Sequence, residues 1–283
     1  MIPSVLTGQT LIDDIEASAP LAGEIDLWWL GQSGFVVKTS SALLHFDLYL
    51  SDSLTRKYAS SGIPHTRMTE LPVEPWLIRH ARYVFASHTH TDHFDPDTLK
   101  PLLAASPQAR LILPQAIRQR AIDLGLDETR IVALRGDDTV ALDGSLHIHA
   151  IPSAHNELNF TDETGYPFLG FVVQVDGLTI YHSGDTILYD GLAERLARFD
   201  VDVAFLPING ANPRLKPFKI AANMSATDAV GLAQRCHFRL TIPHHYDMFT
   251  FNTADPLVFA DRARAAGIGY TVLRPGARYT YAR

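Results

Sequence analysis

Between Ser87 and Asp95 the chain reads SHTHTDHFD, three histidines and two aspartates in nine positions. The apolar run ARYVFA leads straight into it, so the cluster begins where a predicted strand gives way to a turn. Alternate residues of an extended segment point the same way, and the turn that follows gathers its neighbours around one point. His88 and His90 have that spacing, and Asp92 and His93 come directly after. Imidazole and carboxylate are the ligands favoured by zinc, manganese and iron. A solvated, histidine-rich loop is the plain alternative. Burying so many polar groups at a strand end without a shared partner would be expensive, which favours the metal reading.

The pattern recurs. His155 lies just beyond the strand-like LHIHAIP, Asp185 just beyond LTIYH, and His245 ends LTIPHH. Strand ends along one sheet edge can converge although they are far apart in sequence. The four positions of the first cluster and these three read together as a metal site.

Those strand ends need a scaffold. A short helix is expected around LIDDIEAS, then three β-rich runs at 25–30, 34–39 and 42–48 with hairpin-length separations. Asp95 is a fitting N-cap for a helix starting at Pro96. Beyond it, strand 111–114 is followed by a helix over 115–125 that Gly125 ends. The runs IVAL, TVAL and LHIHAIP come next, then two strands hinged on the turn VDG at 175–177. Helices at DGLAERLARF, SATDAVGLAQRC and ADPLVFADRARAAG alternate with the strands VDVAFLPI and FRLTIPHHYD, and two short strands close the chain. Two mixed β layers flanked by helices satisfy this order. We expect a single domain over residues 1–283, with residues 1–24 as an N-terminal extension.

Composition narrows the partners. The 283 residues are 46% hydrophobic and 19% charged, a globular balance with no low-complexity tract. The net charge of −7 argues against a nucleic-acid partner, which needs a basic face. No apolar run approaches the ~20 residues that span a bilayer, and no export signal is visible, so no membrane partner is expected. Cys236 is the one cysteine and suits a reducing cytoplasmic location. A small-molecule substrate is the partner expected.

The motif His-x-His-x-Asp-His at 88–93 resembles that of the metallo-β-lactamase superfamily, and His155, Asp185 and His245 match its later ligands. Within it, WWLGQSGF, IYHSGDT, the stretch from ANPR to MSATDAV, and IPHHYDMFTFNTADP resemble the ascorbate-6-phosphate lactonase group. The resemblance implies an α/β fold, an αββα sandwich of two mixed β-sheets flanked by helices, with the metals on the shared edge. It also implies two divalent ions per chain, zinc or manganese. One would be held by His88, His90 and His155, the other by Asp92, His93 and His245, with Asp185 bridging. Asp92 would also orient the attacking hydroxide and carry its proton. The same resemblance implies a homo-oligomer.

Other residues take supporting parts. Asp47, matched to an early strand-end aspartate of the superfamily, is expected to brace a ligand histidine. His182 would support the Asp185 loop from behind, and Asp247 would support the ligands from outside them. His244 is read as a lining or structural residue, His147 and His149 as structural, and His45, His65, His80 and His237 as having no partner visible in sequence. For the substrate, the loop 209–223 offers Arg214, Lys216 and Lys219, and we expect Arg214, aided by Asn212 and Tyr246, to hold a phosphate or carboxylate.

The expected activity is metal-dependent hydrolysis of a small sugar lactone, phosphorylated or not, or a related ester. Hydrolysis of a small cyclic or diester phosphate is the second reading, because it uses the same two-metal site. A metal-stabilised binding protein is the non-enzymatic one, disfavoured because every ligand position is filled. A β-lactamase is disfavoured by the aspartate at the bridge, and a diiron oxygen reductase by the lack of room for a flavin domain.

Overall fold

The computed structural model describes residues 1–144, 146–218 and 220–283. Helix α1 (Gly8–Ala17) precedes β1 (Glu24–Trp29), β2 (Phe35–Lys38) and β3 (Leu43–Phe46). In β1, Ile25, Leu27 and Trp29 enter one apolar cluster while Trp28 joins the other. Both faces of this strand are therefore covered, and its one buried carboxylate, Asp26, is satisfied by the hydroxyls of Ser18 and Thr280. After α2 (Ser53–Lys57) and β4 (Tyr83–Phe85) come α3 (Pro96–Ala105), β5 (Arg110–Pro114), α4 (Arg118–Asp123) and β6 (Ile131–Leu134). Asp95 caps α3 by accepting from the Asp97 N–H, with Pro96 at the first helical position. The first seven-stranded sheet has the order β13-β1-β2-β3-β4-β5-β6, where β13 is Arg278–Ala282.

The second sheet, of six strands, is built from β7 (Thr139–Leu142), β8 (Leu146–Pro152), β9 (Leu169–Val175), β10 (Leu178–His182), β11 (Val203–Pro207) and β12 (Leu240–His244), ordered β12-β11-β10-β9-β8-β7. Helices α5 (Leu192–Leu196), α6 (Ala226–Cys236) and α7 (Pro256–Ala266) accompany it. The turn between β9 and β10 has Asp176 and Gly177 both at positive φ, the backbone that an Asp-Gly hairpin turn requires. One cluster fills the space between the sheets and under α6 and α7; a second fills the space between the first sheet and α1, α3 and α4. The architecture is the αββα sandwich expected.

Several local expectations need correcting. The helix expected over 115–125 opens as a 3-10 turn at Gln115–Ile117 and is α-helical only over α4. Of the two short C-terminal strands, only β13 forms; the other is reduced to a single bridge between Thr241 and Tyr270. Within the N-terminal extension, residues 1–24, Leu11, Ile12 and Ile15 of α1 are buried against the first sheet. Among the described residues no helix is long and apolar enough to cross a membrane.

Strand direction positions the chemistry. β3 and β4 are parallel, as are β10, β11 and β12, and β8 runs with β10 because each is antiparallel to β9. The C-terminal ends of β3, β4, β8, β10 and β12 carry Asp47, the 88–93 cluster, His155, Asp185 and His245. The two sheets are stitched at that edge by the Leu169 N–H donating to the Ser87 carbonyl at 3.0 Å.

Candidate metal centre

The 88–93 segment turns because the amides of His93 and Phe94 both bond the His90 carbonyl, at 3.0 and 2.7 Å. Buried Phe94 and the Asp95 cap then fix the turn to α3. Opposite it, Gly184 has φ +58°, and a Cβ there would come within 2.6 Å of Ser87 Cβ. Glycine is what lets the Asp185 loop approach so closely. His245 itself takes a left-handed backbone (φ 60°) as β12 ends, with its N–H on the Gln32 carbonyl at 3.1 Å.

Among the described residues three trios of side chains offer ligand atoms within 4.8 Å of one another: His88, His90 and His155; Asp92, His93 and His245; and His88, His93 and Asp185. Asp185 faces both of the first two groups. Its Oδ1 is 3.3 Å from His93 Nε2, and its Oδ2 is 3.1 Å from His245 Nε2 and 3.7 Å from His155 Nε2. Asp92 Oδ2 lies 3.6 Å from His93 Nε2 and 3.8 Å from His245 Nε2. His90 is the exposed member, while His88, His93, His155, Asp185 and His245 are buried.

The donor set fits divalent cations. His88 Nε2, His93 Nε2 and Asp185 Oδ1 are buried without a hydrogen-bond partner among the described residues, and unpartnered buried polar atoms on one point call for a common ion. Burial, reinforced by His93 and His90, pushes the His88 pKa well below its ordinary value, and burial takes His155 down to about 4. Both are therefore neutral imidazoles at pH 7, the form that binds metal. Burial also opposes charge on His93 and His245, but there the Asp185 and Asp92 carboxylates outweigh it and raise both pKa values. In return, against the opposing effect of burial, His245 and His93 hold Asp185 well below the usual carboxylate range, and His93 and His245 likewise lower Asp92.

Around the ligands, Asp47 Oδ2 accepts from His93 Nδ1 at 2.7 Å, and both its oxygens accept from Ser87, at 2.7 Å from the N–H and 2.6 Å from the hydroxyl. His182 bonds the Ser33 carbonyl through Nε2 at 2.9 Å and accepts the Gly184 N–H on Nδ1 at 3.1 Å, behind the Asp185 loop. His244 stacks on His182 at 5.1 Å inside the core and joins none of the three trios.

Other expected positions lie elsewhere. Tyr246 does not line the cavity: it is buried in the core, where its ring packs at a tilt on Trp29 with centroids 4.6 Å apart. The Asp247 carboxylate makes no hydrogen bond among the described residues, and only its backbone is engaged, with Thr69 and Thr253. Asn212 closes its own turn by accepting the Arg214 N–H at 3.1 Å, and exposed Arg214 is not among the residues lining the cavity. Lys219 and the side chain of Lys216 lie outside the described residues.

The cavity over the cluster, about 350 Å³, is shaped by residues the sequence reading left out. Gln32 Nε2 donates to Asp92 Oδ2 at 2.8 Å and sits 3.3 Å from His245 Nε2. Lys57 and Arg120 are its cations, and Arg120 also bonds Thr89 at 2.6 Å. An aromatic wall is built on His65, whose ring lies 4.2 Å from Tyr58 and 4.4 Å from Phe251. Phe218 and Ile220 bring the 209–223 loop into the lining. The sequence signal for Gln32 was its place in WWLGQSGF; nothing local distinguishes Lys57 or Arg120.

A family model described as a β-lactamase superfamily domain matches residues 60–246. Among curated proteins, the chain is 24% identical to a probable L-ascorbate-6-phosphate lactonase of Salmonella gallinarum, over 88% of this chain and 77% of that protein. It is 25% identical to a metal-dependent hydrolase of Pyrobaculum aerophilum, covering 88% and 96%. Among solved structures, a metallo hydrolase of Ignicoccus hospitalis superposes with a TM-score of 0.68 at 22% identity, over 92% of this chain and 99% of that one. An isothiocyanate hydrolase from Delia radicum gut bacteria gives 0.70 at 19% identity, over 91% and 100%. These two likenesses are likenesses of fold.

Proposed function

The chain belongs to the β-lactamase superfamily and is a metal-dependent hydrolase, and from that premise we propose that it opens a small lactone carrying an anionic group, using a dinuclear site. The observation that carries the reading is Asp185, whose two oxygens face both ligand groups at the floor of a cavity that also holds Asp92. Two divalent ions, zinc or manganese, held by His88, His90 and His155 and by Asp92, His93 and His245 with Asp185 between, would supply a water-derived nucleophile and polarise the attacked carbonyl.

The chain's own groups do the rest. Gln32 pins Asp92, so that its carboxylate can take the proton released by the attacking water and return it to the alkoxide leaving the ring. The aromatic wall of Tyr58, His65, Phe249 and Phe251 offers an apolar face to a ring's C–H surface. Lys57 and Arg120 suit a phosphate or carboxylate substituent, Arg120 in bidentate fashion. Similarity to a probable L-ascorbate-6-phosphate lactonase supports the same choice. The two cations would equally suit a phosphodiester, which is the second reading.

The protein is proposed to work in the cytoplasm as a homo-oligomer on a small molecule, with neither nucleic acid nor membrane as partner. The test is elemental analysis of the purified chain, paired with turnover of sugar lactones, phosphorylated sugar lactones and cyclic phosphodiesters. Two ions per chain with lactone turnover supports the reading. Turnover of the phosphodiesters alone moves the protein to the second, and no hydrolysis after loading with zinc or manganese overturns both.

A further inference from the structure

A second cavity, of about 390 Å³, lies between α1 and the outer face of the first sheet, away from the ligand edge. Ile12 and Ile15 of α1 form one wall; Leu30, Val36 and Leu43 belong to the sheet side. Close-packed interiors leave few voids larger than a water molecule, and this volume is that of a small-molecule site. One polar side chain stands among these apolar residues. His45 is 2% exposed, and its Nδ1 has no hydrogen-bond partner among the described residues. Burial, only partly offset by the Tyr83 carbonyl, lowers its pKa to about 4, so it is a neutral imidazole at physiological pH.

The mouth is polar and mainly cationic. Lys38 holds the end of α1 by donating to the carbonyls of Ile15 and Glu16, at 2.7 and 3.0 Å. His80 pairs with Glu16 at 2.9 Å, while Arg79 is exposed and has no carboxylate partner among the described residues. Arg79, His80 and Ala81 continue into an adjoining surface groove of about 620 Å³ that adds Arg82 and Arg110. Its one carboxylate, Asp143, is already engaged by Arg82 and Tyr83. A chain of net charge −7 thus places three arginines beside an apolar cavity.

We propose that this cavity binds an anionic amphiphile, an aliphatic chain seated between α1 and the sheet with a carboxylate or phosphate head on Arg79. Buried His45 lines the seat of the chain, so its ring reports occupancy. The proposal rests on none of the metal ligands and stands or falls separately from the hydrolase reading.

The test is calorimetric titration of the full chain with decanoate, decyl phosphate and decyltrimethylammonium, alongside the ring resonances of His45 by NMR. At least one of the two anions should bind with a micromolar dissociation constant and move the His45 resonances. The tighter of the two assigns the head group. Arg79→Glu, on the surface, should weaken binding about tenfold or more, and Ile15→Trp, which fills the cavity, should abolish it. Equal binding of the cationic amphiphile, unmoved His45 resonances in the wild-type chain, or unchanged affinity in Arg79→Glu would overturn the assignment.

Discussion

The Asp47 carboxylate lies 2.7 Å from His93 Nδ1, and the other nitrogen of that ring, Nε2, faces Asp185 Oδ1 at 3.3 Å. One face of the imidazole is thus fixed by a buried aspartate so that the other is free for a metal. Outer partners of this kind typically contribute 10–100-fold in metal affinity. Asp47→Asn keeps the shape and removes the charge. It should weaken ion binding at the Asp92, His93 and His245 group by about that factor. Competition with a chelator, read for each ion separately, checks this; equal weakening at the His88, His90 and His155 group would show that Asp47 acts on the fold instead.

Gln32 is held by its backbone, since its carbonyl accepts both the Trp29 indole N–H at 3.0 Å and the His245 N–H. Its side-chain amide therefore has little freedom and points at Asp92. Removing that donor takes a hydrogen bond from the charged carboxylate, which raises its pKa. Gln32→Ala should cut kcat roughly tenfold and move the acid limb of the pH–rate profile to higher pH. A fall in rate with an unmoved acid limb would mean that Gln32 only packs.

How far the sequence showed this site depends on what positions each group. His88, His90, Asp92, His93, His155, Asp185 and His245 were visible because each follows an apolar run, and a strand end is a local signal. Asp47 was legible only through the resemblance to the superfamily's early strand-end aspartate. Gln32 reaches Asp92 across 60 residues by a turn at positive φ, and no periodicity encodes that. Lys57 and Arg120 come from α2 and α4, short amphipathic pieces whose exposed cations look like any solvated face. Arg214 was chosen on charge and motif alone, whereas the 209–223 loop brings Phe218 and Ile220 into the cavity lining and leaves Arg214 exposed outside it. Layer order followed from the alternation of strands and helices. The length of α4 and the loss of one C-terminal strand are decided by tertiary pairing, which pattern does not report.

Away from the metals, His45 makes a pH prediction. The unfolded chain takes a proton at about pH 6.5, the ordinary histidine value, but the folded chain refuses it until about pH 4. Between those values the unfolded state binds more protons, so stability falls as pH drops through the window and is fully present above it. The loss is at most about 3 kcal/mol. In chemical denaturation of wild type and His45→Gln, the stability of wild type minus that of the variant should fall by up to that amount as the pH drops from 6.5 to 4. Parallel curves would mean that the imidazole is hydrated when folded.

Ion removal addresses the centre as a whole. Stripping leaves His88 Nε2, His93 Nε2 and Asp185 Oδ1 buried and unpartnered. An ion at a thousand times its dissociation constant stabilises the folded state by about 4 kcal/mol, and for a chain of this size that is roughly 10 °C in Tm. Chelation should lower Tm by about that amount, and zinc or manganese should restore it. Asp185→Ala, which removes the carboxylate shared by both ligand groups, should fold with wild-type circular dichroism, lose hydrolysis and show no such recovery. If that variant still took up two ions and turned over substrate, Asp185 would not be the bridge, and the assignment of both ligand groups would fall with it.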